Sequence, residues 1–110
     1  MLKVLLVDDE PFIVQGLSAL IDWEKEGFEI VGTAGNGSEA VEFLKSNPVD
    51  LILADIKMPV MNGLEFLKYI RETHLSEAFF VILSGYGDFT YAKEAIKWQW
   101  TEYILKPLQK

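Results

Sequence analysis

The sequence predicts an α/β domain in which a parallel five-stranded sheet is covered by helices on both faces. Short apolar runs suited to strands recur about every 25 residues, and segments with helical spacing lie between them. This period is too long for hairpins and fits repeated strand–helix–strand units with right-handed crossovers. At 110 residues the chain is long enough for one domain with its own core. The predicted strands begin near Lys3, Phe28, Leu51, Phe79 and Glu102.

Each predicted helix has a start signal and an apolar face. Pro11 suits the first turn of the first helix, and Asn36, Asn62 and Asp88 can cap the other three. The inward faces are predicted to consist of Ile13, Leu17, Leu20 and Ile21 in the first helix, Ala40, Val41 and Leu44 in the second, Leu64, Leu67 and Ile70 in the third, and Ala92, Ala95 and Ile96 in the fourth.

Composition excludes several classes of function. The formal net charge of −7 argues against direct binding to nucleic acid, because phosphate backbones require clustered Lys and Arg. The absence of cysteine excludes disulfides and thiolate metal sites, and it favours a reducing, cytoplasmic setting. No stretch approaches the roughly 20 apolar residues of a membrane span, so no membrane role is expected.

Polar residues follow four of the predicted strands. Asp8 and Asp9 come after the first, and Asp55 after the third. Ser84 follows the fourth strand and Lys106 the fifth. Because the carboxyl ends of parallel strands share one edge of the sheet, these groups are expected to converge there.

The expected group of three carboxylates would repel one another unless a cation lay between them. Oxygen ligands without His or Cys favour Mg²⁺, or Mn²⁺ in its place, and the backbone carbonyl of Lys57 can add another oxygen. A cation, the ammonium of Lys106 and the hydroxyl of Ser84 would suit the oxygens of a phosphoryl group. If the strand order is 2-1-3-4-5, Asp55 lies on the central strand and is the natural nucleophile for an aspartyl phosphate.

Each of these residues also has an ordinary structural interpretation. Asp8 and Asp9 before a proline can simply cap a helix, Ser84 beside Gly85 can be a turn residue, and an isolated lysine is usually a solvated charge. The joint placement at four strand ends favours the functional interpretation.

The same residues resemble the signature of a known family, the receiver domain of two-component response regulators. The resemblance extends over essentially the whole chain, residues 1–110. Two longer segments, IDWEKEGFEIVGTAGNGSEA and SGYGDFTYAKEAI, are similar to receivers whose output is an AraC-type helix-turn-helix domain. The signature consists of Asp8-Asp9-Glu10, Asp55 within LILADIKMP, Asn62-Gly63, Ser84-Gly85 and Lys106-Pro107.

The resemblance implies a flavodoxin-like three-layer sandwich of strand order 2-1-3-4-5 and a signalling module that is not a turnover enzyme. Asp55 would accept a phosphoryl group from a histidine kinase. Asp9, Asp55 and the Lys57 carbonyl would bind Mg²⁺ directly, and Asp8 through water. Ser84 and Lys106 would contact the phosphoryl group, and Tyr103 would be the aromatic switch that turns inward when Ser84 moves. DNA would be reached only through an output domain that this chain lacks.

Two departures from the family pattern lead to further expectations. Trp98-Gln99-Trp100 stands where a glycine and a small residue usually end the fourth helix, and the chain stops at Lys110, where a fifth helix is expected. A truncated or engineered receiver is therefore predicted, with homo-oligomer formation through the sheet face that the missing helix would cover.

Three other functions remain open at this point. A receiver-derived scaffold that is not phosphorylated is the first. A Mg²⁺-dependent phosphohydrolase with an aspartyl nucleophile is less favoured. Such enzymes need an acid catalyst two residues after a nucleophile on the first strand, and Asp8 followed by Asp9 and Glu10 fits that pattern poorly. A flavin carrier is disfavoured because the loop after the first strand, DDEPF, lacks the Ser, Thr and Gly that cradle a phosphate.

Overall fold

The computed structural model of the chain describes residues 1–20, 22–84 and 102–105, with Leu20, Ser84 and 102–105 described by their backbone alone. Within these ranges, strands and helices alternate as predicted as far as β4. The predicted fourth helix, with Trp98 and Trp100, lies outside the described residues, as does Lys106. The elements are β1 (Leu2–Val7), α1 (Pro11–Leu20), β2 (Phe28–Ala34), α2 (Gly37–Ser46), β3 (Leu51–Asp55), α3 (Gly63–Glu72), β4 (Phe79–Ser84) and β5 (Glu102–Leu105).

The five strands form one parallel sheet of order β2-β1-β3-β4-β5, which confirms the predicted flavodoxin-like order. β3 is the central strand, so Asp55 lies at the middle of the carboxyl edge. Asp55 is in register with Leu83, and Ser84 is in register with Leu105. The β1–β2 pair contains a bulge after Val4, where one extra residue of β2 is accommodated.

Alternate residues of the strands supply two cores, one on each face of the sheet. This alternation follows from the pleat, in which successive side chains point to opposite faces. On the first face, α2 and α3 cover residues such as Leu5, Ile52 and Phe80. On the second face, α1 and Trp23 pack near Leu6, Leu53 and Leu83. The three-layer sandwich is therefore present in the described part of the chain.

The predicted inward faces of α2 and α3 are confirmed, because Ala40, Val41, Leu44, Leu64, Leu67 and Ile70 are all buried. In α1, Leu17 is buried and Ile13 half-buried, whereas Ile21 and the side chain of Leu20 lie outside the described residues. Phe66 is an additional core residue that the pattern did not predict. It is fully buried, with its ring centroid 5.8 Å from that of Phe80.

Among the described helices, none is long and apolar enough to cross a membrane.

Candidate phosphoacceptor site

Four carboxylates lie together at the carboxyl edge of the sheet. One oxygen from each of Asp8, Asp9, Glu10 and Asp55 lies within 4.8 Å of the others. Asp8 and Asp55 are buried, each with 4% of its surface exposed, while Asp9 and Glu10 are exposed. The cluster thus has a buried floor and an open side through which a ligand can enter.

The turn after β1 orients Asp8. The backbone N–H of Asp8 donates to the carbonyl of Ala34 at 3.0 Å, which extends the pairing with β2 by one residue. Its Oδ1 accepts a hydrogen bond of 2.9 Å from the backbone N–H of Glu10. The carbonyl of Glu10 in turn accepts from the N–H groups of Ile13 and Val14, at 3.0 and 3.3 Å, in the first turn of α1. The side chain of Asp8 therefore closes an Asx turn just before α1, in addition to its place in the cluster.

The loop between β3 and α3 forms the other wall of the site. An open cleft of about 360 Å³ is lined by Asp9, Ile56, Lys57, Met58 and Asn62. Asn62 caps α3 in a capping box with Glu65: its Oδ1 accepts from the N–H of Glu65 at 2.8 Å, and Glu65 Oε1 accepts from the N–H of Asn62 at 3.0 Å. The loop is consequently anchored to the start of α3, which has one buried face.

The donor set fits a hard divalent cation. Within the described residues, the cluster contains only carboxylate oxygens, and His74, the only histidine of the chain, lies just after α3 and away from these strand ends. Oxygen ligands of this kind suit Mg²⁺ or Mn²⁺. A cation would also relieve the repulsion between these closely spaced carboxylates.

The structure brings together only part of the predicted site. Asp8, Asp9, Asp55 and Lys57 meet at one edge, and the backbone of Ser84 ends β4 beside β5. The backbone of Tyr103 is in register with Ile82, but its side chain and that of Ser84 are outside the described residues. Lys106 also lies outside them, and its preceding residue, Leu105, pairs with Ser84.

Two residues of the site were not assigned from the sequence. The carboxylate of Glu10 belongs to the acidic cluster, and Asn62 lines the cleft as well as capping α3. In the sequence, the only indication that Glu10 belongs to the cluster was its position next to the Asp8-Asp9 pair. For Asn62, the capping signal was visible, but its place in the cleft depends on how the loop folds back towards β1.

A flavodoxin-like sheet with an acidic cluster at the end of its central strand defines a class of phosphorylation-dependent signalling domain. Residues 4–110 match the response regulator receiver domain family, so the chain belongs to that family.

Similar proteins are consistent with this assignment. The chain is 43% identical over 107 residues to the uncharacterized transcriptional regulatory protein YesN of Bacillus subtilis, covering 97% of this chain and 29% of that protein. The chain therefore spans less than a third of the length of this curated relative.

Two solved structures superpose closely. The receiver domain of AraT, a response regulator from Geobacillus stearothermophilus, has a TM-score of 0.90 at 40% identity and covers 98% of this chain and 83% of that one. The two-component transcriptional regulator AraC from Clostridium phytofermentans has a TM-score of 0.87 at 33% identity, over 99% of this chain and 84% of that one. The second of these similarities agrees with the resemblance to receivers of the AraC type.

Proposed function

We propose that Asp55 is the phosphoacceptor and that a phosphohistidine of a histidine kinase is the donor. The observation that carries the proposal is the placement of the Asp55 carboxylate at the end of the central strand, within 4.8 Å of three further carboxylates and beside an open cleft. A buried carboxylate at such a position is held in one place, which favours its use as a nucleophile.

Phosphoryl transfer to Asp55 forms one bond to phosphorus and breaks another. One carboxylate oxygen of Asp55 forms a P–O bond as the P–N bond to the donor imidazole breaks, and the imidazole leaves with the electron pair. Hydrolysis of the resulting acyl phosphate returns the carboxylate and releases inorganic phosphate. The domain promotes both steps on itself, so it acts as a phosphoacceptor and not as an enzyme with an external substrate.

Mg²⁺ is proposed as the cofactor, with Mn²⁺ as a substitute. Asp9, Asp55 and the carbonyl of Lys57 would hold the ion directly, and Asp8 through water. Bound there, Mg²⁺ supplies neutralisation of the negative charge on the phosphoryl oxygens. The proposal is supported by the all-oxygen cluster and by the position of Lys57 in the wall of the cleft that Asp9 also lines.

Ser84 and Lys106 are proposed to contact the phosphoryl group, and Tyr103 to respond to it as the switch residue. Support comes from the sheet: Ser84 ends the strand next to β3, and Leu105, one residue before Lys106, pairs with Ser84. A hydroxyl and an ammonium at these positions would each stabilise one phosphoryl oxygen. The new charge would then bias a pre-existing equilibrium of the surface that contains Tyr103.

For the whole protein, we propose a cytoplasmic regulator of transcription in which a separate output domain binds DNA. The similarity to a transcriptional regulatory protein supports this, since the chain covers only 29% of that relative. The acidic character of the chain agrees with a domain that does not itself bind DNA.

Self-association through the sheet face that a fifth helix would cover stays a prediction. On that face, Leu53, Val81 and Leu83 are buried, so the prediction depends on β5 and the residues after it. Light scattering over a range of concentrations tests it, and a monomer at every concentration would contradict it.

Intact-mass spectrometry tests the phosphoacceptor directly. We expect incubation with Mg²⁺ and a small acyl phosphate to add one phosphoryl group to the protein. The adduct should be absent from Asp55→Asn and present in Asp22→Asn, a matched variant in the exposed turn after α1. An adduct that survives Asp55→Asn contradicts the proposal. Failure of the unmodified protein to form an adduct favours the scaffold, and continuous release of phosphate from many substrates favours a hydrolase.

A further inference from the structure

The loop between β3 and α3, residues 56–62, is tied to the start of α2. The backbone N–H of Gly37, the first residue of α2, donates to the carbonyl of Met61 at 2.8 Å. This contact joins the loop that carries Lys57 to a helix that contributes no residue to the acidic cluster. It is therefore a route by which a remote element can fix the geometry of the site.

The approach of the two segments requires glycine at position 37. A Cβ atom there would lie 2.7 Å from Cγ and 2.9 Å from the carbonyl oxygen of Met61. The side chain of Met61 can rotate away, but its carbonyl oxygen moves only if the loop backbone moves. α2 itself is held in place by Asn36, whose side chain accepts from the N–H of Glu39, and by the buried Ala40 and Val41.

Two backbone hydrogen bonds also restrain the loop from within. Its ends are joined by the N–H of Gly63, which donates to the carbonyl of Ile56 at 2.8 Å, and its tip by the N–H of Met61, which donates to the carbonyl of Pro59 at 2.7 Å. Between them, Val60 has a φ of 66°, which is unfavourable for a β-branched residue. A strained backbone persists only when surrounding contacts hold it, and the bond from Gly37 is one such contact, made directly beside the strained residue.

We propose that Gly37 is a positioning residue for the divalent-cation site. Its backbone N–H and its lack of a side chain hold Met61, and through the loop they set the position of the Lys57 carbonyl. The inference rests on the proposed function, since it assumes that Lys57 contributes an oxygen to the cation. By thermodynamic linkage, cation binding should in turn strengthen the contact between Gly37 and Met61.

Gly37→Ala is the direct test, with Mg²⁺ affinity measured by isothermal titration calorimetry. We expect the affinity to fall by about tenfold or more, as it does when partners that orient metal ligands are removed. Alanine is a better helix former than glycine, so only the contact with Met61 predicts a loss. Phosphorylation by the acyl phosphate donor should slow in parallel at low Mg²⁺ and recover at high Mg²⁺.

Two further glycines provide matched controls. At Gly16 in α1, an added Cβ meets nothing within 4 Å. At Gly32 in β2, an added Cβ would lie 2.5 Å from the ring of Phe43, and neither residue belongs to the loop. Gly16→Ala should leave Mg²⁺ affinity unchanged. Gly32→Ala should lower the unfolding midpoint with little effect on Mg²⁺ affinity, which separates general destabilisation from misplacement of the loop.

A double variant distinguishes the backbone contact from side-chain crowding. Because Met61→Ala removes Cγ and the sulfur but not the carbonyl oxygen, Gly37→Ala/Met61→Ala should bind Mg²⁺ more weakly than Met61→Ala alone. Equal affinities in these two variants, or in folded Gly37→Ala and the unmodified protein, would overturn the inference. If the unmodified protein binds no Mg²⁺, the proposed function itself fails.

Hydrogen exchange on the unmodified protein gives an answer even if Gly37→Ala does not fold. Saturating Mg²⁺ should slow hydrogen exchange of the Gly37 amide by about the same factor as exchange of the amides in the loop, residues 56–62. Amides in the second half of α2 should be slowed less. A Gly37 amide whose exchange rate does not change on Mg²⁺ binding would contradict the proposed coupling.

Discussion

Val60 combines an unfavourable backbone with an exposed side chain. Its φ is 66° and 83% of its surface is exposed, so burial does not offset the strain of the positive φ. The N–H of Met61 donates to the carbonyl of Pro59, so Val60 is the central residue of a γ-turn, a strained conformation that costs about 1–3 kcal/mol. Asparagine tolerates positive φ better than a β-branched residue does. We therefore expect Val60→Asn to raise the free energy of unfolding by about 1 kcal/mol in urea denaturation without Mg²⁺.

The alanine variant at the same position is the control. Val60→Ala removes the β-branch but keeps a side chain at positive φ, so its gain should be smaller than that of Val60→Asn. An asparagine variant that is no more stable than the original would show that the loop does not store strain at this residue.

Residue-level features of the loop could not be predicted from the sequence. Met58-Pro59 indicated a turn, but valine has no preference for positive φ, and the loop conformation depends on the contact of Met61 with Gly37, which is distant in sequence. By contrast, Asp8, Asp9 and Asp55 were predicted correctly to meet, because their positions depend only on strand ends and the parallel arrangement.

At the scale of the element, α3 is fixed at both ends by side chains. Asn62 and Glu65 cap its start, and Arg71 in its last turn crosses to the loop before β4. The guanidinium of Arg71 donates to the carbonyls of Ser76 and Ala78, each at 2.8 Å. Burial lowers the pKa of Arg71, with Glu77 acting in the opposite direction, yet the group stays charged at neutral pH.

Arg71→Met should therefore destabilise the domain. It leaves two carbonyls without their charged donor, and we expect the free energy of unfolding to fall by about 2 kcal/mol. Arg71→Lys should have an intermediate effect, because a lysine lacks the fork that reaches both carbonyls. As a matched control, Lys45→Met removes an exposed i,i+3 pair with Glu42 and should change stability little. Equal effects of Arg71→Met and Lys45→Met would contradict this role.

The hydrophobic spacing predicted some of the buried helix residues and missed others. It identified three of the four buried residues of α2 and three of the five in α3, since their spacing follows the helical repeat. It missed Phe66 because the buried face of α3 is wider than a single stripe, where the helix lies against both β4 and α2. The role of Arg71 was also missed, because its partners lie in an irregular loop.

At the scale of the whole molecule, the alternation of apolar runs and helices predicted a parallel α/β sheet, whereas the strand order followed from the resemblance to a known family. The order then concentrates negative charge at one edge, on a domain whose net charge is already −7. Buried Asp8 and Asp55 have limited access to solvent that would screen them. The arrangement is therefore expected to trade stability for function when no cation is bound.

Asp55→Asn should accordingly be more stable than the unmodified protein in the absence of Mg²⁺, because it removes one of four mutually repelling carboxylates. Mg²⁺ should reverse this order: a ligand at 100 times its dissociation constant stabilises the folded state by about 2.7 kcal/mol, and the variant should gain less. Thermal or urea unfolding with and without Mg²⁺ measures both effects, and Asp22→Asn should behave like the unmodified protein in each. If Asp55→Asn is the less stable protein without Mg²⁺, the Asp55 carboxylate contributes more to the fold through its local contacts than it loses to repulsion within the cluster.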